Sequence, residues 1–172
     1  MSRTSSTGRK ISLVAGVFVI VAGLALSAQS QTPPAGAAGS GPSPARQAIE
    51  SRKAVFTLIG NNFRLIGNVL KGAAPYDAAA VQKSISRLVF LADLIGDSFP
   101  EISNIGEPDT KAKLDIWTNR ADFDKKVKEF QTHLASLQQV ASAEAGPTDA
   151  FKTAATAVAQ DCKGCHDDYK AK

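Results

Sequence analysis

The sequence predicts an all-α protein, an antiparallel up-down-up-down four-helix bundle. Three observations carry this. From Ser43 onward, four stretches place apolar residues at steps of three and four. No stretch shows a convincing period-two alternation. Gly- and Pro-containing breaks separate the stretches, and most of the connections are short.

The chain has 172 residues, enough for one domain of ordinary size. Residues 1–30 read as a signal peptide. Arg3, Arg9 and Lys10 form a basic start, Ile11 to Leu26 is an uncharged apolar run, and Ala25-Leu26-Ser27 and Ala28-Gln29-Ser30 both fit a small-residue cleavage site. An uncleaved membrane anchor is the alternative, although the run is at the short limit for a span. Residues 31–43, rich in Pro, Gly, Ala and Ser, read as a disordered linker, leaving 44–172 as the domain. Without residues 1–30, which hold three basic and no acidic groups, 17 Lys and Arg face 16 Asp and Glu. The net charge is then +1, and nothing in it suggests a nucleic-acid partner.

The first helix is expected to start with Ser43 as N-cap and Pro44 at the first helical position. Its seam is Ile49, Arg52, Phe56, Ile59, Phe63, Ile66 and Leu70, and Gly72 stops it. The second is capped by Asp77, with the seam Val81, Ile85, Leu88, Ala92, Ile95 and Phe99, ending before Pro100. Residues 100–118 are expected as a long loop. The third helix starts near Thr118 or Asn119 and has the seam Phe123, Val127, Phe130, Leu134, Leu137 and Ala141. After Gly146-Pro147 the fourth carries Phe151, Ala155, Val158, Cys162, Cys165 and Tyr169. Each helix is expected to run about 20–28 residues. Alanines in the second and fourth seams leave room for something bulky inside.

Cys162-Lys163-Gly164-Cys165-His166 matches the attachment signature of a c-type haem. Two thiols add to the porphyrin vinyl groups and the adjacent imidazole coordinates iron. These are the only two cysteines in the chain. At i and i+3 they share one helix face, so both sulfurs reach one porphyrin edge. A disulfide, a zinc site and a thioredoxin-like site are the competing readings. No zinc-finger spacing is present, no βαβ pattern surrounds the motif, and the histidine that follows favours haem.

A sixth iron ligand is hard to find. The only methionine is Met1, within the signal peptide. The other candidate, His133, lies one residue off the third seam and reads as a rim or surface histidine. This leaves a five-coordinate iron. Arg52 is a cation in an otherwise apolar row, either a surface arginine lying along the helix or a bidentate partner for haem propionates. Phe56, one turn on, reads as core by pattern, and as the cover of the open iron face if the haem looks toward the first helix.

At these residues the chain resembles the cytochrome c′ family. The resemblance runs from about Ala45 to Lys172 and is carried by four segments. They are Arg52-Lys53-Ala54-Val55-Phe56-Thr57-Leu58; Lys71-Gly72-Ala73-Ala74-Pro75-Tyr76-Asp77; Ile116-Trp117-Thr118 with Ala121-Asp122-Phe123; and Cys162 through Lys170. It implies a periplasmic protein with one haem c, held covalently by Cys162 and Cys165, and a high-spin iron on His166. It further implies that Arg52 contacts a propionate, that Phe56 is the distal residue, and that Lys170 takes a basic position near the proximal face that is frequently Arg. A lysine offers a point charge there in place of a planar fork. Homodimers through the first helix, or the first two, are also implied. Val55, Leu58, Leu65 and Val69 are apolar residues off the first seam that would form such a face or widen the core stripe.

The expected function is binding of small neutral diatomic gases such as NO and CO, with NO sequestration or protection as its purpose. The alternative is an electron carrier working with a redox partner protein. An enzyme such as a peroxidase is not expected, because Phe56 supplies neither an acid–base group nor a cationic stabiliser.

Overall fold

The computed structural model describes residues 41–106 and 110–172. The expected signal peptide and nearly all of the expected linker lie outside the described residues. Four long helices form the bundle: α1 (Pro44–Leu70), α2 (Ala78–Asp93), α4 (Arg120–Ala143) and α5 (Asp149–Tyr169). A one-turn helix, α3 (Asp115–Thr118), precedes α4. α1 packs on α2, α2 on α4, and α4 on α5 along much of their lengths, while α1 and α5 close the square over a shorter stretch. Among the described residues there is no strand, only an isolated antiparallel bridge between Ala112 and Lys170.

The helix starts follow local chemistry. Ser43 accepts from the Arg46 amide at 3.2 Å and Pro44 follows it; Asp77 accepts from the Ala80 amide at 2.9 Å; Thr148 accepts from the Phe151 amide at 3.3 Å. Each bond satisfies an amide that the helix leaves without a partner. α1 ends at Gly72, whose φ of +68° suits a residue without Cβ. Ala73 N donates to Asn68 O at 2.8 Å and Gly72 N to Val69 O at 3.0 Å, the paired bonds of a Schellman turn.

The core is one apolar cluster contributed by all four long helices. Ile66, Val81, Ile85, Leu88, Leu134, Leu137, Phe151, Ala155 and Val158 are fully buried in it. Burying a Leu, Ile, Val or Phe side chain stabilises by about 1.5–3 kcal/mol, so this cluster is the main source of stability.

Four expectations need correction. α2 is only 16 residues long; the last expected seam residues, Ile95 and Phe99, are buried from just before and just after a 3₁₀ turn over Gly96–Ser98. The 100–118 segment is not a plain loop, since it holds a 3₁₀ turn at Glu101–Ser103, α3 and the bridge. On α1 the seam splits: Arg52, Ile59 and Ile66, spaced by seven, face the core, while Phe56, Phe63 and Leu70 lie half-buried on its flank. Val69 takes the buried place expected of Leu70. Asn119 stands at the start of α4 but makes no side-chain cap.

Candidate functional site

α5 delivers Cys162, Cys165 and His166 at the end of its last three turns. Both thiols are free, half-buried and packed against the core cluster. Burial, then the Asp161 carboxylate, pushes the Cys162 thiol up to about 11; burial likewise raises Cys165. Half-buried neutral thiols on one inward face suit attachment to an apolar ring. His166 is largely exposed at the helix edge, and partial burial, then the Lys170 ammonium, lowers its pKa. Lys170 itself is exposed, and its amide closes α5 on the His166 carbonyl at 3.2 Å.

Arg52 is no surface arginine: it is only 3% exposed. Its guanidinium donates to Ser103 Oγ at 3.0 Å, Thr110 Oγ1 at 3.0 Å and Ser98 O at 3.4 Å. It also lies over Phe99, 4.8 Å from the ring centre, and 5.8 Å from the Trp117 ring. Among the described residues no carboxylate comes within ion-pair distance of it. Burial lowers its pKa, because removing the cation from water penalises the charged form. Beside it, the Trp117 Nε1–H is buried without a hydrogen-bond partner. A buried cation with no carboxylate partner among the described residues and an orphaned buried donor, both against one ring, are suited to an anionic acceptor.

Phe56 is half-buried on α1 and meets Phe99 edge-on, with ring centres 6.0 Å apart. Phe99 also meets Trp117 and Phe123, so it joins α1, α3 and α4. The expected site residues therefore form two groups. Cys162, Cys165, His166 and Lys170 sit on α5; Arg52 and Phe56 sit on α1. None of the hydrogen bonds or ring contacts among the described residues joins the groups directly; the segment from Thr110 to Lys113 links them.

His133 is not aimed at either group. Its Nδ1 lies 2.7 Å from Asp161 Oδ2, in a pair between α4 and α5. Sequence reasoning missed Ser103, Thr110 and Trp117. Only Trp117 carried a signal, as the chain's single tryptophan. The serine and threonine have no periodic pattern, and their role rests on contacts 51 and 58 residues away.

A four-helix bundle with paired thiols and a histidine at the end of its last helix defines a bundle cytochrome of the c type. The family model for cytochrome c′ matches residues 47–170. The chain belongs to the cytochrome c′ family, whose members are c-type haem proteins. Cytochromes c′ are themselves among the familiar up-down-up-down bundles. The chain is 34% identical over 125 residues to a cytochrome c′ of Alcaligenes xylosoxydans xylosoxydans, covering 73% of this chain and 94% of that one. Among solved structures it is similar to cytochrome c prime from Shewanella frigidimarina (35% identity, TM-score 0.70, 77% of this chain and 100% of the other). It is also similar to the nitric oxide complex of a variant cytochrome c prime from Alcaligenes xylosoxidans (31% identity, TM-score 0.66, 74% and 97%).

Proposed function

We propose that this protein carries one haem c bonded to Cys162 and Cys165, with His166 as the sole protein ligand to a high-spin iron, and that it binds diatomic gases. Bound haem supplies an iron that takes up a small neutral ligand and cycles between two oxidation states. The single observation that carries the open-site reading is the place of His133, whose side chain is 43% exposed between α4 and α5 and is not among the buried residues of α4. With Met1 as the only methionine, no His or Met is buried among the described residues to close the sixth position. Solved relatives with bound nitric oxide support the ligand class.

The chain's own residues have distinct parts in this reading. Cys162 and Cys165 fix the ring edge on the inner face of α5. Arg52 holds a propionate, supported by its burial with no carboxylate partner among the described residues, and the orphaned Trp117 Nε1–H offers a second donor beside it. Phe56 walls the open side with an apolar ring. Lys170 lends positive charge near His166, supported by its effect on that imidazole. Family members bind ligands and are not enzymes of a conventional kind, and Phe56 itself offers no acid–base group to a bound ligand.

The reading extends to the rest of the chain. Residues 1–30 are proposed as a signal peptide and 31–43 as a linker, which places the 44–172 domain in the periplasm. No helix among the described residues is long and apolar enough to cross a membrane. A homodimer through α1, or α1 and α2, is supported by the exposed Leu58 and Phe90 on those helices, 48% and 65% accessible. Val55, Leu65 and Val69 instead pack on the core and widen its stripe. NO sequestration is the proposed purpose.

Absorption and electron paramagnetic resonance spectra of the purified ferric and ferrous protein test the reading. A five-coordinate high-spin ferric signal and a ferrous NO complex are expected. A six-coordinate low-spin spectrum at neutral pH would overturn it.

A further inference from the structure

The segment from Thr110 to Lys113 touches both groups of site residues. Thr110 Oγ1 accepts from Arg52 at 3.0 Å and from the Ala112 amide at 3.2 Å. Ala112 is bridged antiparallel to Lys170. Lys113 N donates to Tyr169 O at 3.0 Å, and Ala171 N to Lys111 O at 2.8 Å. Lys113 then uses its side chain as well. Its Nζ donates to Asp168 O at 2.8 Å and to Asp167 O at 3.2 Å.

Those two carbonyls belong to the last turn of α5, where a helix leaves its acceptors without internal partners. They are the two residues directly after His166. No lysine or arginine of α5 itself stands in that turn, where His166 is the one basic residue. The carboxylates nearby are committed elsewhere: Asp167 to Lys163 within the helix, and Asp168 to Lys126 of α4 at 3.1 Å. Lys113 therefore binds the peptide units, not the acidic side chains. A cation at a helix C-terminus also complements the helix dipole.

We propose that Lys113 is a positioning residue for His166: its ammonium ties down the last turn of α5 and sets positive charge at the end of the helix that presents the proximal imidazole. This rests on the reading of His166 as the iron ligand. The orientation of that imidazole then depends on a residue 53 positions upstream, on the segment that also holds Arg52. Outer groups of this kind commonly tune a metal ligand without touching the metal.

The test uses the haem-loaded protein and two readouts, the Fe–His stretching band of the ferrous form by resonance Raman and the midpoint potential by redox titration. Lys113→Ala is expected to shift or broaden the Fe–His band and to lower the potential, because losing a nearby cation favours the more positive ferric state. Lys113→Arg, which keeps charge and donors, is expected to restore both. Lys125→Ala, which removes an exposed cation of α4 paired with Glu129, should move neither. Leu137→Ala reports on destabilisation alone and should leave the band in place. An unchanged band and potential in Lys113→Ala would overturn the positioning role while leaving the haem reading intact. The same holds if Leu137→Ala reproduced the shift. A wild-type spectrum without an Fe–His band would overturn the haem reading and this role with it.

Discussion

His133 Nδ1 and Asp161 Oδ2 lie 2.7 Å apart, tying α4 to α5 one residue before Cys162. The histidine that sequence counting left as the last candidate for a sixth ligand is thus held in an ion-pairing geometry on the bundle's side. His133→Ala is expected to leave the ferric and ferrous spectra unchanged. It should cost about 1 kcal/mol, the worth of one partly exposed hydrogen bond, read from urea unfolding. A spectral change from low-spin to high-spin on this substitution would show that His133 is the ligand after all.

Arg52 makes three hydrogen bonds from a buried position and stacks on Phe99. Arg52→Ala is expected to destabilise by about 2–4 kcal/mol, the range for losing buried hydrogen bonds made by a charged group. Arg52→Lys should recover only part of this, since one ammonium cannot reach both Ser103 and Thr110 from the geometry of the guanidinium fork. Denaturant midpoints of the three proteins check it. Equal midpoints for the lysine variant and wild type would mean that charge alone matters here.

Phe56 sits half-buried with its edge on Phe99. Phe56→Ala is expected to raise the CO association rate of the ferrous protein by about tenfold, equivalent to about 1.4 kcal/mol off the barrier. Flash photolysis measures the rate. An unchanged rate would show that Phe56 does not gate the iron.

Alkaline pH should weaken the haem-free fold. The Cys162 thiol is pushed up to about 11, above the value of about 8.5 expected of an unfolded thiol. The neutral thiol is favoured in the fold, so its contribution is complete below the unfolded value. It is lost as pH rises through 9 toward 11, because the unfolded chain ionises first. Urea midpoints of the haem-free protein at pH 7, 9 and 10.5 should therefore fall. Cys162→Ser combined with Cys165→Ser should flatten the decline. The same slope in that double variant would assign the effect to other groups.

Phe90 is 65% exposed on α2, so it contributes little to the monomer's core. Phe90→Ser is expected to change monomer stability by less than about 0.5 kcal/mol. If α2 contributes to a dimer, the same substitution should weaken association. Sedimentation velocity across a concentration series measures it. Unchanged association would place any dimer contact elsewhere.

Much of the fold and part of the site were legible in the amino-acid order, for a physical reason. Helical periodicity is local: Val81, Ile85, Leu88 and Ala92, or Leu134, Leu137 and Ala141, reveal a buried face within a few turns, and all are buried. The attachment motif is equally local. The structure of residues 100–118 was not legible, because what orders it comes from far along the chain. Ser103 and Thr110 are fixed by Arg52, and Ala112 by Lys170. The split of the α1 seam was hidden for a related reason. A three-four repeat shows both rows, Arg52–Ile59–Ile66 and Phe56–Phe63–Leu70, as equivalent. Only the neighbouring helices decide which row faces the centre.

Trp117 is the only tryptophan in the chain. Its indole N–H is buried and unpaired, and its ring lies 5.8 Å from the Arg52 guanidinium. Tryptophan emission from this protein, excited beyond the tyrosine absorption, therefore originates at a single point beside the proposed propionate contact. An optical signal of that kind follows the filling of one site without a label, from the haem-free chain to the finished cytochrome.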